Sequence, residues 1–326
     1  MLKERADLRS VAFVVTYFVL IGAVYLEPIS LDGLPSWARG LAIGGLVVTL
    51  SLLSFFCAVI THNTIHAPVF HSKRLNKVFQ VALTLSYGHP VSMFVPGHNL
   101  SHHRYTQTSK DLMRTTRFRF RWNLLNQLLF STLVGPPIMR SNLEYARAMR
   151  TQRPKWYRQL LVETAFYVGF LVLALALDWQ KFLLFVLIPH QYAVFGITGI
   201  NFVQHDGCDP DHPHNHSRNF TGKLVNWFTF NNGYHGVHHD RPGLHWSLLP
   251  AVHAETMHGK IDPRLEQTSL LAYAFDAFVY PGTRRRFDGT PLTPEAPGAD
   301  EEWIPQNLRS TIAESEMAGT AMGDAE

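Results

Sequence analysis

The chain has 326 residues, of which 46% are apolar, and its formal net charge is +4 at pH 7. It contains only two cysteines, Cys57 and Cys208, which excludes a disulfide framework and a cysteine-rich structural zinc site. The apolar residues are gathered into blocks, and the charges lie in the gaps between the blocks. This pattern favours an integral membrane protein over two soluble domains.

Four apolar blocks are long enough to cross a bilayer as helices. The first block has no small-residue cleavage pattern, so we interpret it as a spanning helix rather than a cleavable signal peptide. The sequence predicts spans over about residues 11–28, 41–60, 159–178 and 182–203.

Three weaker apolar stretches are predicted to lie at the membrane without crossing it. Polar residues interrupt residues 78–95, and Gly135-Pro136-Pro137 is expected to break residues 122–139, so both are interpreted as re-entrant or interfacial. Residues 269–280 predict an amphipathic surface helix. Residues 1–286 thus form one predicted membrane domain, and the acidic residues 287–326, rich in Pro, Gly and Ala, predict a disordered tail.

The distribution of basic residues predicts the orientation of the four spans. Of the 29 lysines and arginines, only Arg39 and Lys181 lie in the two segments that this topology places outside. Short cytoplasmic segments carry the excess of basic residues in membrane proteins. Both termini are therefore predicted to be cytoplasmic.

Histidines recur at helical spacing near the ends of the apolar blocks. Residues four apart on a helix project from one face, about 6 Å apart along the axis, so each group predicts a short column of imidazoles. The predicted topology places every group on the cytoplasmic side, where all could meet in one helical cap. The groups are His62 with His66; His98, His102 and His103; Asn201 with His205; and His235, His238 and His239.

Nine histidines are more than a single metal ion can accept. Two ions, each with four or five neutral imidazoles, fit the number of ligands. Zinc is satisfied with three or four ligands, so two all-histidine sites favour a redox metal, with iron as the first choice. Two irons with open positions can use dioxygen to attack an unactivated C–H bond, and the location at a membrane suggests a lipid-like substrate.

The spacing of the histidines resembles that of the integral-membrane fatty acid desaturase and hydroxylase superfamily. The family's three histidine boxes are matched by His62-Asn63-Thr64-Ile65-His66, by His98-Asn99-Leu100-Ser101-His102-His103 and by His235-Gly236-Val237-His238-His239. The acyl-CoA desaturase branch adds a histidine four residues after an asparagine that holds iron through a water, and Asn201 with His205 matches that pair. The resemblance covers about residues 41 to 255. It implies four membrane helices topped by a cytoplasmic helical cap that holds two irons.

Two features depart from the family's pattern. Asn63 stands where many members carry an aspartate, so an acid that orients a ligand would be missing or supplied elsewhere. The residues that flank the third box differ from those usual in the family, and this difference affects the prediction of the substrate more than the prediction of the metal site. No cytochrome b5 or ferredoxin segment is apparent, so a separate electron donor of the ferredoxin, rubredoxin or cytochrome b5 type is expected.

A basic run interleaved with aromatic residues follows the second box. In a soluble protein it could suggest nucleic acid, but beside a membrane it predicts contact with anionic lipid head groups or with an acidic electron donor. No nucleic-acid partner is expected. The run contains Arg114, Arg117, Arg119 and Arg121.

The sequence thus predicts an O2-dependent di-iron membrane oxidoreductase, first of all a fatty-acyl desaturase in a bacterial inner membrane with its active site in the cytoplasm. A hydroxylase, an alkene-forming decarboxylase and a carotenoid oxygenase or ketolase would use the same metal core. A non-catalytic metal-binding membrane protein is the alternative from another class. A transporter would place its ligands at the middle of the membrane, whereas these histidines are predicted beyond the helix ends.

Overall fold

The computed structural model describes residues 1–26, 33–293, 299 and 301. The described residues are mostly helical, and they divide into two compact units that interleave along the chain. The first unit comprises Met1–Thr64, Pro68–Ser92 and Lys155–Ile197, and the second comprises Ile65–Ala67, Met93–Pro154 and the described part of Thr198–Glu326. All four predicted spans are observed as helices.

The α-helices are numbered in chain order. They are α1 (Asp7–Leu26), α2 (Ser36–Thr64), α3 (Lys73–Tyr87), α4 (His103–Tyr105), α5 (Asn123–Gln152), α6 (Pro154–Leu177), α7 (Trp179–Phe182), α8 (Ile188–His205), α9 (Lys223–Phe228), α10 (His235–Asp240), α11 (Leu249–Thr256) and α12 (Leu270–Ala274). Three π-helical segments cover Pro96–His102, Leu183–Leu187 and Phe275–Val279, and short 3-10 turns cover Val91–Met93, Thr115–Arg117, Trp246–Leu248 and Pro263–Leu265. The strands β1 (Asn219–Phe220) and β2 (Glu266–Gln267) form one short parallel pair.

Four helical stretches are long and apolar enough to cross a membrane. They begin earlier or end later than predicted, because polar residues extend the helices beyond their apolar centres. The stretches are Asp7–Leu26, Ser36–Thr64, Pro154–Leu177 and Trp179–His205.

The first unit packs α1 and α3 against α2, and its apolar core includes Leu50, Cys57 and Leu83. Two polar contacts lie within this core. The hydroxyl of Tyr17 lies 3.0 Å from Nε2 of His190. The buried carboxylate of Glu163 accepts hydrogen bonds from both the backbone N–H and the hydroxyl of Ser92.

A glycine is required where α3 ends. Gly88 has a φ of 86°, and a Cβ at this position would lie 2.4 Å from the side chain of His190. The left-handed backbone ends the helix in the manner usual for glycine caps. Residues 78–95, predicted to form a re-entrant or interfacial segment, therefore contain the end of a helix that stops at Tyr87 and a 3-10 turn over Val91–Met93.

The predicted break at Gly135-Pro136-Pro137 was wrong, because α5 continues through both prolines to Gln152. Each proline removes a backbone donor, so packing on both sides must hold the helix. On the N-terminal side, Phe130 and Val134 lie in the core of the second unit. On the C-terminal side, the amide of buried Asn142 donates a hydrogen bond to the carbonyl of Met93.

The predicted disordered tail falls largely on residues 294–298, 300 and 302–326, which lie outside the described residues. Residues 287–293, at its start, are described and make backbone hydrogen bonds. The N–H of Phe287 donates to Gly207, and the N–H of Leu292 donates to Arg284.

Candidate metal centre

Eight of the nine predicted histidine ligands lie in the second unit, and short helices carry most of them. His66 follows the end of α2, and His205 is the last residue of α8. The π-helix Pro96–His102 and α4 together carry His98, His102 and His103, and α10 carries His235, His238 and His239.

These eight histidines form two groups. The first histidine group consists of His66, His98, His103 and His238, and the second consists of His102, His205, His235 and His239. Within each group, one ring nitrogen from every member lies within 4.8 Å of those of the other members. Each group could therefore hold one metal ion.

His62 belongs to the first unit, where it lies in the last turn of α2. It is buried, and its Nδ1 lies 3.1 Å from Oδ1 of Asn63. Since an amide oxygen only accepts hydrogen bonds, Nδ1 carries the proton and Nε2 is the nitrogen that could bind a metal. Asn63 thus orients His62 in the position where many family members have an aspartate.

Histidines that are adjacent in the sequence belong to different groups. His103 and His238 belong to the first group, whereas their neighbours His102 and His239 belong to the second. Successive residues on a helix point about 100° apart, so one pair of adjacent histidines can serve two ions.

The rings of His98 and His102, predicted to form one column, lie 5.6 Å apart, but the two histidines belong to different groups because this segment is a π-helix. The backbone N–H of His103 donates to the carbonyl of His98, five residues earlier. Residues five apart therefore meet, and Nε2 of His98 lies 3.0 Å from Nε2 of His103. His102 is turned toward the second histidine group instead.

Three imidazoles of the second histidine group point their Nε2 atoms at a common centre. The separations are 2.9 Å between His235 and His205, 3.1 Å between His205 and His239, and 3.1 Å between His239 and His235. Three neutral imidazoles at such distances present lone pairs toward one another, which a cation between them would relieve. The first group has the same spacing, with Nε2 of His103 lying 3.0 Å from that of His238.

Asp111 orients His102 and was missed in the sequence. Its carboxylate is buried and lies 3.0 Å from Nδ1 of His102. It also accepts hydrogen bonds from the backbone N–H groups of Gln107 and Met113, at 2.9 and 2.7 Å. A carboxylate that holds Nδ1–H leaves Nε2 of His102 as the ligand atom, and within the described part of the chain this buried atom has no hydrogen-bond partner. The first box has no aspartate to orient its histidines, but a carboxylate does orient a histidine of the second box, since Asp111 holds His102.

Burial favours the neutral, metal-binding form of His239, which lies outside the membrane-spanning segments. Desolvation, and then the neighbouring histidines, lower the pKa of His239 well below its usual value. An imidazole with a low pKa stays unprotonated in mildly acidic solution, so protons compete weakly with a metal ion for this site.

Asn201 lies in α8, one turn before His205. Its side chain is buried, and its amide donates a hydrogen bond to the carbonyl of Met113 at 3.3 Å. This contact fixes the side chain on the side of the helix that carries His205, and a role in holding a metal-bound water stays a prediction.

One of the four arginines that were predicted to contact lipid head groups or an electron donor is buried and cannot make such a contact. Arg114 is buried, and its guanidinium donates to the carbonyls of Ser109 and Asp111, so it holds the loop that carries the Asp111 carboxylate. Arg117 is half-buried, whereas Arg119 and Arg121 are exposed. The alternation of basic and aromatic residues could not reveal that the first arginine turns inward.

Two buried arginines hold the end of α8 and were also missed. Arg218 donates to the carbonyls of Val203 and Asp206, at 2.7 and 3.1 Å. Arg284 forms an ion pair with the carboxylate of Asp206, the residue that follows His205. Arg218 lies beyond a loop after α8 and Arg284 lies 78 residues after Asp206, so no helical periodicity indicates their role.

Replacing Asp111 with asparagine should weaken metal binding at the second histidine group. An asparagine can present an N–H where His102 Nδ1–H needs an acceptor, and loss of such a partner typically costs about 10–100-fold in metal affinity. Metal titration of the purified protein would measure the loss. Asp211→Asn, in an exposed loop position, is the matched control and should leave the affinity unchanged. Equal affinities for all three proteins would contradict the role of Asp111.

The fold and the site define a helical membrane protein with two buried histidine groups that could hold metal ions. The family model for fatty acid desaturases matches residues 35–266, which is more than two thirds of the chain and includes every histidine of both groups. The chain therefore belongs to the fatty acid desaturase family, as its histidine boxes predicted, and is a desaturase-like oxidoreductase. No curated protein matches the chain.

Proposed function

We propose that this protein is an O2-dependent di-iron oxidoreductase that desaturates a fatty-acyl chain. The observation that carries the proposal is the convergence of histidines from four separate segments into two groups of ring nitrogens. The family match supports oxidative chemistry on a lipid substrate.

The donor set supports iron. The Nε2 atoms of His205, His235 and His239 form a triangle with sides of 2.9 to 3.1 Å, so these imidazoles, together with His102, could hold one ion. Zinc would be satisfied with three or four ligands at each site, whereas nine histidines for two ions favour a redox metal such as iron, which imidazole suits.

The proposed ligand sets follow from the two groups. His62 lies four residues before His66, and the resemblance of the first box supports it as the fifth ligand of the first ion. Asn201 is proposed to hold a water on the second ion, because it lies one turn from His205. The first ion would be held by His62, His66, His98, His103 and His238, and the second by His102, His205, His235 and His239 with Asn201.

Two irons bound there would supply the activation of dioxygen and the oxidising power for C–H cleavage. In a desaturation, the substrate loses two hydrogens, O2 is reduced to two waters, and a separate donor supplies two electrons, accompanied by two protons from solution. The protein's own contribution is to fix the imidazoles. Asp111 holds His102 in one tautomer, Asn63 does the same for His62, and Arg218 and Arg284 hold the end of the helix that carries His205.

We further propose that the protein lies in a bacterial inner membrane, with the histidine groups and both termini in the cytoplasm. The scarcity of basic residues in the two predicted external segments supports this orientation. Electrons would come from a ferredoxin, a rubredoxin or a cytochrome b5.

Mass spectrometry of lipids from cells with and without the protein tests the proposed reaction. The expected product lacks two hydrogens relative to a fatty-acyl precursor. A gain of one oxygen would indicate a hydroxylase, and a shortened terminal alkene a decarboxylase. The purified protein should contain about two irons per chain, as the number of ligands requires. Zinc alone in protein grown with ample iron, together with no O2 consumption in the presence of a reduced donor, would favour a non-catalytic metal-binding protein.

A further inference from the structure

An exposed surface of aromatic, aliphatic and arginine side chains lies on the second unit. It combines residues 119–122 with the helical segment and turn over residues 270–285. The segment begins after residue 266, where the family match ends. We call it the aromatic–arginine surface, and it consists of Arg119, Phe120, Arg121, Trp122, Leu271, Phe275, Val279, Tyr280 and Arg285.

The helical segment has one buried face and one exposed apolar face. Phe278 is buried in the core of the second unit, and Tyr273 and Ala277 pack against that core. On the other face, Leu271 is 84% exposed, Phe275 is 54% exposed and Val279 is 60% exposed. These residues follow one another at about one turn and are all exposed, whereas Phe278 is buried, so they form one apolar ridge along the segment.

Hydrogen bonds join the arginine-containing segment to this helix. The indole N–H of Trp122 donates to the carbonyl of Phe278 at 3.0 Å, and the backbone N–H of Asn123 donates to Gly282 at 2.8 Å. The backbone N–H of Arg284 donates to Arg121 at 3.3 Å. The exposed side chains of both segments therefore belong to one fixed surface rather than to two independent loops.

The residue types on this surface are those found at the boundary between a lipid bilayer and water. Trp122 is about half exposed and Tyr280 about three quarters exposed, and such amphipathic rings are enriched at the boundary between lipid and water. Arg119, Arg121 and Arg285 are exposed beside them and suit anionic head groups. Asp276, on the exposed face, is the one acidic residue in the described segments 119–122 and 270–285.

We propose that the aromatic–arginine surface lies in the head-group region of an anionic bilayer and binds its lipids. An apolar ridge flanked by arginines is the pattern of helices that lie flat in this region, with the apolar face buried about 5–10 Å. An acidic electron donor would satisfy the arginines but would leave the ridge facing a polar protein surface. Weak electron-transfer contacts are small, so they would also leave much of the ridge in water.

A spin label on the ridge tests the proposal. The full-length protein carries Phe275→Cys in a Cys208→Ala background, is reconstituted into nanodiscs of phosphatidylcholine and phosphatidylglycerol, and is labelled with a nitroxide. Cys57 is buried, and the protein without an introduced cysteine gives the background signal. Collision rates with O2 and with a water-soluble nickel chelate report whether the label lies in lipid or in water.

We expect the nickel chelate to reach the label at position 275 about tenfold less often than a label at the exposed control position Glu255→Cys. Equal access at the two positions would overturn the proposal. A label that is open to the chelate, but becomes protected when an acidic ferredoxin is added, would assign the surface to a protein partner instead and would also overturn it.

The arginines are tested separately by counting bound lipids. Native mass spectrometry of the protein from mixed nanodiscs should retain phosphatidylglycerol in preference to phosphatidylcholine. The triple variant Arg119→Gln, Arg121→Gln, Arg285→Gln should lose most of that preference, whereas the matching triple lysine variant should keep it, because lysine preserves the charge. Unchanged lipid retention in the glutamine variant would overturn the head-group assignment. The metal content of each variant confirms that the second unit is still folded.

Discussion

Replacing His235 with alanine should abolish the proposed oxidation of an acyl chain and remove the iron proposed for the second histidine group. Nε2 of His235 lies 2.9 Å from that of His205 and 3.1 Å from that of His239, so its loss opens one corner of the triangle. The iron content should fall from about two per chain to about one, and turnover should fall by at least about a thousandfold, because the proposed reaction would need both ions. Iron analysis and O2 consumption with a reduced donor measure the two effects.

His258→Ala is the matched control, because His258 is exposed and belongs to neither histidine group. It should keep both irons and full turnover. His103→Ala should remove the ion of the first group instead, so that both histidine variants contain one iron but differ in the spectrum of the iron that remains. Two irons and normal turnover in His235→Ala would contradict the assignment of the second group.

The sequence predicted the four membrane helices and the histidines of both groups, because these depend on local patterns. A run of apolar residues longer than a bilayer's width indicates a span wherever it occurs. The histidine boxes are equally local, and their spacing identified the family before any contact was known. Only the helix ends were misplaced, because polar residues at the ends join the helix without contributing to the apolar pattern.

The partners within each group could not be read from the same spacing. The rings of His98 and His102 lie 5.6 Å apart, about as the spacing predicts, but in the π-helical segment it is Nε2 of His103 that lies 3.0 Å from Nε2 of His98. A one-residue change in helical register would exchange histidines between the two groups, and the sequence carries no periodic signal for it. Segments of this kind occur often at functional sites.

The residues that orient the ligands were missed for a different reason. Asp111 comes nine residues after His102 in an irregular loop, and Asn142 stabilises α5 through a carbonyl 49 residues away. Such contacts depend on how the chain returns to a site, which periodicity does not describe. Tertiary packing likewise carries α5 through Pro136 and Pro137, against their local preference.

Arg284 lies outside the residues matched by the family model, and we expect its replacement to have a large effect on the stability of the second unit. Its guanidinium is buried and bonds the carboxylate of Asp206, with Nε lying 3.0 and 3.1 Å from the two oxygens. It also donates to the carbonyls of Thr115 and Phe118. One side chain thus joins the residue after His205 to the loop that follows the second histidine box.

The backbone next to Arg284 also contacts the residues that follow α8. Gly207 has a φ of 74°, and a Cβ there would lie 2.4 Å from the carbonyl oxygen of Arg285. A glycine is therefore needed for residues 284–287 to lie against the end of α8, and the N–H of Phe287 donates to Gly207 at 2.9 Å. Side chain and backbone together hold His205 in place from the C-terminal side.

Arg284→Met should destabilise the second unit and release the iron proposed for the second histidine group. The change leaves the carboxylate of Asp206 buried without its cation, and loss of one partner from a buried ion pair costs about 3–5 kcal/mol. The unfolding midpoint in detergent and the iron content of the purified protein measure the two effects. Arg285→Met, at the next residue, is the matched control: Arg285 is exposed, so the change should alter the free energy of unfolding by less than about 0.5 kcal/mol.

The double variant Arg284→Met, Asp206→Asn separates the ion pair from simple packing. If the main cost is an uncompensated buried charge, neutralising Asp206 should recover part of the lost stability and part of the iron, so that the two changes are less damaging together than their separate effects imply. A packing defect would not respond to the removal of that charge, since asparagine has nearly the same volume as aspartate. Strict additivity of the two changes, or a stable and iron-loaded Arg284→Met protein, would show that the position of His205 does not depend on the Arg284–Asp206 pair.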